Sequence, residues 1–228
     1  MLLEIIAANL EDVKDINRMD VDRIELCGEM DKDGLTPERG LIRDAVSESK
    51  IPVNVMIRPH DDSFSYTEDE ITQMITDIEY VRSMGANGIV IGVITRDRVV
   101  DTTSLERLIE AAENMEITFH KAFDEIEDQV DALKTLGRYP QIKTVLTSGG
   151  PGSSADNIEQ LKKLINLGGK LDIAIMPGGG INLGNVPEIF EKTAPEAIHF
   201  GTGVREDGTF ESRISPDKIE QLRQIIQG

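Results

Sequence analysis

The residues of this chain best suited to proton transfer or metal ligation are His60, His120, His199, the single Cys27 and the acids Glu4 and Glu25. All three histidines fall at or just beyond the end of a short apolar run. Eight such runs are present: Leu2 to Ala7, Arg23 to Cys27, Val53 to Ile57, Gly88 to Val93, Ile117 to His120, Thr144 to Thr147, Ile173 to Met176 and Ala197 to Phe200. Each is too short for an ordinary helix and rich in Val and Ile, which reads as a strand.

Between the runs, apolar residues recur at helical spacing, as in Ile71, Met74, Ile75, Ile78 and Val81. Thr36 with Pro37, Thr67 with Glu70, and Ser215 with Pro216 read as helix starts. The alternation predicts a single-domain (β/α)8 barrel over residues 1–228, finishing in a C-terminal helix with Ile219, Leu222, Ile225 and Ile226. A barrel of this kind takes about 250 residues. An open dinucleotide-binding sheet is the rival, but the first strand runs into Ala7, Ala8 and Asn9, where that fold wants glycines.

Barrel strands alternate between the helix layer and the interior. Parity turns Glu4 and Ile6, then Arg23, Glu25 and Cys27, then Asn54, Met56 and Arg58, then Thr118 and His120 inward. Glu4, Glu25, Arg58 and His120 are therefore expected in one interior cluster. Either they form an ion-pair network that fills the core, or they form a site with Glu25, Arg58 and His120 as catalytic groups. His60 and His199 read as loop anchors. Lys121 leans toward the helix layer unless the strand has already ended, and Asp124 reads as the cap of the next helix.

Glycines follow three late strands: Gly149 and Gly150 after Thr147 and Ser148, then Gly178, Gly179 and Gly180, then Gly201 and Gly203 around Thr202. Such loops turn backbone N–H groups toward an anion. With Arg58 they predict a cradle for a small anionic ligand on the side of strands six to eight.

The net charge of −18 argues against a nucleic-acid partner. No apolar run approaches the roughly 20 residues of a membrane span. The chain reads as cytoplasmic and without a membrane partner, with Cys27 reduced. No organic cofactor is evident. The acids Asp61, Asp62 and Asp207 lie in loops and predict no strong Mg2+ or Zn2+ site.

Glu25-Leu-Cys27 with Gly34-Leu-Thr-Pro37, Val55-Met-Ile-Arg-Pro59, Thr118-Phe-His-Lys-Ala-Phe-Asp124, Leu146-Thr-Ser-Gly-Gly150 and Ile175-Met-Pro-Gly-Gly-Gly180 occur in order. Together they resemble the signature segments of the CutC family, named for copper homeostasis, from Leu3 to about Phe200. The resemblance implies a TIM-type barrel, a cytoplasmic location, self-association as a homo-oligomer and a role in copper handling. Where the family commonly has a Cys and an Asp in its first strand, this chain has Ile6 and Ala8. After the third strand it has His60, Asp61, Asp62 and Ser63 in place of an Arg with glycines.

Cu(I) prefers thiolate and thioether ligands. Cys27, Met30, Met56 and His120 are the candidates for a copper ion, although a buried Cys or Met also serves as plain core packing. Two functions therefore stand side by side: copper binding at the barrel mouth, or an enzyme acting on a small phosphate- or carboxylate-bearing metabolite with His120 and Glu25 as acid and base.

Overall fold

The computed structural model describes residues 1–227. Strands β1 (Leu2–Ala7), β2 (Arg23–Leu26), β3 (Val53–Met56), β4 (Gly88–Ile91), β5 (Glu116–Phe119), β6 (Ile142–Thr147), β7 (Ala174–Pro177) and β8 (Ala197–Phe200) alternate with eight α-helices. All seven ladders are parallel, in the order β7-β6-β5-β4-β3-β2-β1-β8. Among the described residues no ladder joins β7 to β8, so the ring is a TIM-type barrel with one seam closed by packing.

The helices are α1 (Leu10–Ile16), α2 (Arg39–Glu48), α3 (Glu68–Ser83), α4 (Thr102–Ala112), α5 (Gln129–Leu136), α6 (Ile158–Leu171), α7 (Val186–Thr193) and α8 (Pro216–Gln227). Short acceptors start several of them. Asn9 accepts from Asp12 N, Asp101 from Ser104 N and Asp128 from Asp131 N, and Thr67 with Glu70 forms a full capping box. Ser215 Oγ accepts from Lys218 N at the start of α8. Thr36 departs from its expected part: α2 begins only at Arg39, and the Thr36 hydroxyl accepts from Arg58 N at 2.8 Å. The threonine braces the end of β3 instead of a helix.

Outward strand residues such as Leu3, Ile5, Ile24, Val55, Ile89, Ile117 and Ile198 pack with buried helix residues into one large core between the two layers. The barrel interior is separate. Leu146, Met176 and Ala197 form one apolar cluster there, and Ile6, Cys27, Met56 and Val90 form another, covered by Met30 and Phe210. Polar side chains occupy the remaining interior, and they define the site.

Candidate functional site

Parity delivers two polar groups. The first runs through β1, β2 and β8. Arg23 Nε donates to Glu4 Oε2 at 2.5 Å, and Glu4 Oε1 lies 2.8 Å from His199 Nδ1. His199 Nε2 faces Glu25 Oε2 at 3.6 Å, and Cys27 Sγ donates to the same Glu25 oxygen at 3.4 Å. Glu4, Arg23, Glu25, Cys27 and His199 are all buried. Burial pushes the Glu4 carboxyl up, but Arg23 and then His199 outweigh it and hold it below its ordinary value. Burial raises Glu25, and His199 offsets this only in part. Burial also lowers His199, yet Glu25 and Glu4 overcome it and leave the imidazole above its usual range. Cys27 is held well above the usual thiol range by burial and then by Glu25. One oxygen, Glu25 Oε1, is buried with no partner among the described residues.

The second group gathers around Phe64, in the loop after β3. The Arg58 guanidinium stacks over the Phe64 ring at 4.8 Å, and the His120 ring lies 4.9 Å from it. Arg58 Nη1 donates to the carbonyls of Lys32, Asp33 and Gly34 at 3.1 to 3.3 Å. His120 Nδ1 accepts from Ala122 N at 3.0 Å, so its proton sits on Nε2. That Nε2–H is buried without a partner among the described residues, as is Arg58 Nε. Burial, and then the Arg58 charge, pull His120 down to about 3. Gly92 makes this possible, because a Cβ there would run into the His120 ring.

Glu4, Glu25, Arg58 and His120 thus do not form a single cluster. The carboxylates belong to Arg23 and His199, while Arg58 and His120 stand apart around an aromatic ring. His199 is no loop anchor: it pairs in register with Glu4 on β1 and points inward. Its run, Ala197-Ile-His-Phe200, carried that signal, since Ile198 and Phe200 suit the helix layer. His60 does tie its loop down, with Nε2 3.2 Å from Glu70 on α3.

Both groups open into one cavity of about 970 Å3 at the carboxyl ends of the strands, lined by Glu25, Met30, Met56, Arg58, His120 and His199. The rim supplies Ser148, Gly149, Gly179, Gly180, Gly201 and Gly203. Thr147 and Gly178 sit behind it. The Thr147 hydroxyl donates to Asp124 and accepts from Gly149 N at 2.8 Å, and Gly178 N donates to Thr147 O at 3.0 Å. A Cβ on Gly178 would meet Leu146 Cδ1 at 2.5 Å and His199 Cβ at 3.2 Å. Gly203 is likewise set by close packing, against the Ile181 carbonyl.

Asp124 is not a helix cap; Asp128 takes that part for α5. Asp124 accepts instead from Thr147 Oγ1 and from Ser148 N and Oγ, clamping the loop after β6 to the turn after β5. Lys121 follows the alternative in which the strand has already ended. β5 ends at Phe119, a 3-10 turn begins at Lys121, and its ammonium lies over Gly179 in the cavity wall. A cation therefore joins the glycine rim where parity placed none.

Cys27, Met30 and Met56 come together in the upper interior cluster, and His120 lines the same cavity as Met30 and Met56. Cys27 Sγ and Met30 Sδ flank the same spot, 3.4 and 3.6 Å from where a Gly34 Cβ would stand. These are the donor types that Cu(I) prefers, although burial and Glu25 keep the Cys27 proton in place.

An eight-fold strand–helix ring with acids, imidazoles and sulfurs turned into its mouth is a TIM-type barrel. The CutC family model matches residues 1–204, and the chain belongs to the CutC family. It is 38% identical over 200 residues to a CutC family protein of Glaesserella parasuis, covering 88% of this chain and 82% of that one. A human copper homeostasis protein cutC homolog is 35% identical over 198 residues, covering 87% of this chain and 72% of the human protein. The crystal structure of the putative copper homeostasis protein CutC from Streptococcus agalactiae superposes with a TM-score of 0.82 at 31% identity, covering 89% of this chain and 98% of that chain. N-(5'-phosphoribosyl)anthranilate isomerase from Pyrococcus furiosus shares the fold alone, with a TM-score of 0.66 at 16% identity over 100% of this chain and 98% of that chain. Among the described residues no helix is long and apolar enough to cross a membrane.

Proposed function

We propose that this chain serves copper homeostasis by holding Cu(I) in the barrel mouth on Cys27, Met30 and Met56. The observation that carries the reading is the convergence of these three sulfur residues in one interior cluster, together with the names of the relatives. Thioethers bind without deprotonation, and Cys27 is the one thiol of the chain. A single thiolate gives a weaker site than a pair, which suits an ion that must be passed on. Competition with a Cu(I) chelator under reducing conditions should show Cys27→Ser binding at least ~10-fold more weakly than wild type. Equal affinities would overturn the reading.

A second reading rests on a different observation: three residues that line the cavity, Glu25, Arg58 and His120, each carry a buried polar atom without a partner among the described residues, namely Glu25 Oε1, Arg58 Nε and His120 Nε2. Unpaired buried polar groups are costly, and a ligand would satisfy them. In this reading the mouth works on a small anionic metabolite. Arg58, Lys121 and the rim of Ser148, Gly149, Gly179, Gly180, Gly201 and Gly203 hold the anion, and Glu25 is the proton acceptor. His120 takes a role other than acid or base, because its free nitrogen already carries a proton and the ring stays neutral at physiological pH. It offers a neutral hydrogen bond to a developing oxyanion. Titration with inorganic phosphate should release or absorb heat at millimolar concentration in wild type and lose that signal in Lys121→Met. The absence of any heat in wild type would count against this reading.

A further inference from the structure

We infer that His199 and Glu25 form a binding site for a divalent transition-metal cation on the floor of the mouth, oriented by Glu4 and adjoining the sulfur cluster proposed for Cu(I), whose Cys27 thiol donates to Glu25 Oε2. The tautomer comes first. Glu4 Oε1 lies 2.8 Å from His199 Nδ1, and an ionised carboxylate only accepts, so Nδ1 carries the proton. The two carboxylates favour a second proton on Nε2, so a cation binding here displaces that proton and takes the Nε2 lone pair that points toward Glu25 Oε2.

That separation is 3.6 Å. A protonated imidazole donating to a carboxylate closes to about 2.7–2.9 Å, so the gap is wrong for a direct charge-assisted bond. Two ligand atoms on one tetrahedral ion, each at about 2.0–2.2 Å, stand roughly 3.3–3.5 Å apart, and the gap suits this arrangement. Ligand atoms of Glu4, Glu25 and His199 all lie within 4.8 Å of one another.

An independent observation points the same way. Glu25 Oε1 is buried and unpartnered, although its neighbour Oε2 receives the Cys27 thiol. Charge agrees as well. Arg23 occupies the other oxygen of Glu4 at 2.5 Å, so Glu25 has only the His199 imidazole facing it, a charge that a bound cation would replace. Glu4 therefore stands behind the imidazole as its acceptor, the arrangement that orients metal-bound histidines in general.

Both His199 and Glu25 line the cavity, so an ion held by them keeps coordination positions open to water or to a ligand in the mouth. Imidazole and carboxylate donors favour Zn2+ or Cu2+ over Cu(I). The expectation of no strong Mg2+ or Zn2+ site was drawn from the loop acids Asp61, Asp62 and Asp207 and did not weigh Glu25 on β2 with His199 on β8.

Zn2+ is the probe for the test, added to the full chain with 15N-labelled histidines at neutral pH. In wild type the His199 Nε2 resonance should shift on a one-equivalent titration, with the Nδ1 proton retained, while His120 stays in place. By calorimetry, His199→Gln and Glu25→Gln should each bind Zn2+ at least ~100-fold more weakly, and Glu4→Gln should bind it about 10–100-fold more weakly. Cys27→Ser, whose hydroxyl can still donate to Glu25, should weaken Zn2+ far less than His199→Gln does while binding Cu(I) at least ~10-fold more weakly, which separates the two sites. A His199 resonance unmoved by millimolar Zn2+ in wild type would overturn the inference without reference to any variant. So would a folded His199→Gln that binds Zn2+ as tightly as wild type.

Discussion

His120 and His199 occupy one barrel mouth and are equally buried, yet their surroundings push their charge in opposite directions. Desolvation disfavours the imidazolium at both. At His120 the charged neighbour is the Arg58 guanidinium, which reinforces burial. At His199 two carboxylates defeat it. The depth of a residue in a barrel therefore decides very little about its chemistry; the sign of the charge on the neighbouring strands decides it.

The largest break in this comparison is Glu4→Gln. It strips Arg23 of its partner and His199 of its acceptor in a buried setting, and should cost about 3–5 kcal/mol in urea unfolding. It should also lower the His199 pKa, as read by NMR.

The pH dependence of stability tests the two imidazoles directly. His120 is held down at about 3, so between pH 6.5 and 3 the unfolded chain binds a proton that the folded chain refuses. Its contribution is present above pH 6.5 and falls by about 1.4 kcal/mol per unit as pH drops through that window. His199 has the opposite sign. Its folded pKa is raised, so its contribution is full below the ordinary value of 6.5 and is lost as pH rises through the folded one. Urea unfolding from pH 4 to 9 should show His120→Gln flattening the acid limb and His199→Gln the alkaline limb.

Arg58→Met sharpens the comparison further. It removes the second cause of the His120 shift and leaves burial, so the pKa should rise while staying below 6.5 by NMR titration. Phe64→Leu should act least, costing under about 1 kcal/mol through loss of the stacked guanidinium. A His120 pKa returning to 6.5 in Arg58→Met would mean that charge, not burial, holds it down.

The barrel was legible because its signal is repeated: eight short apolar runs separated by helical spacing leave few alternatives. Parity also placed Glu4, Glu25 and Cys27 inward, where they are buried. The partnerships were not legible, because they join residues far apart in sequence. Glu4 meets His199 only when β1 pairs with β8, a register that Leu2↔Ala197 fixes and no local pattern encodes. Asp124 was misread for the same reason. Its position ahead of a helix suggests a cap, whereas its hydrogen bonds go to Thr147 and Ser148 on the next strand and loop. Lys121 escaped parity because the rule lapses where the strand ends, at Phe119.

The seam between β7 and β8 has a kinetic consequence. A ring joined by seven ladders and one packed contact has a built-in place to part, as a split washer does. Backbone amides facing that gap are expected to exchange with solvent ahead of those in the ladders. Gly178 sits at the gap, with Leu146 on one side and His199 on the other. A single methyl group at position 178 would therefore act as a wedge, driven into the ring at its weakest line and pushing directly on the imidazole that Glu4 holds.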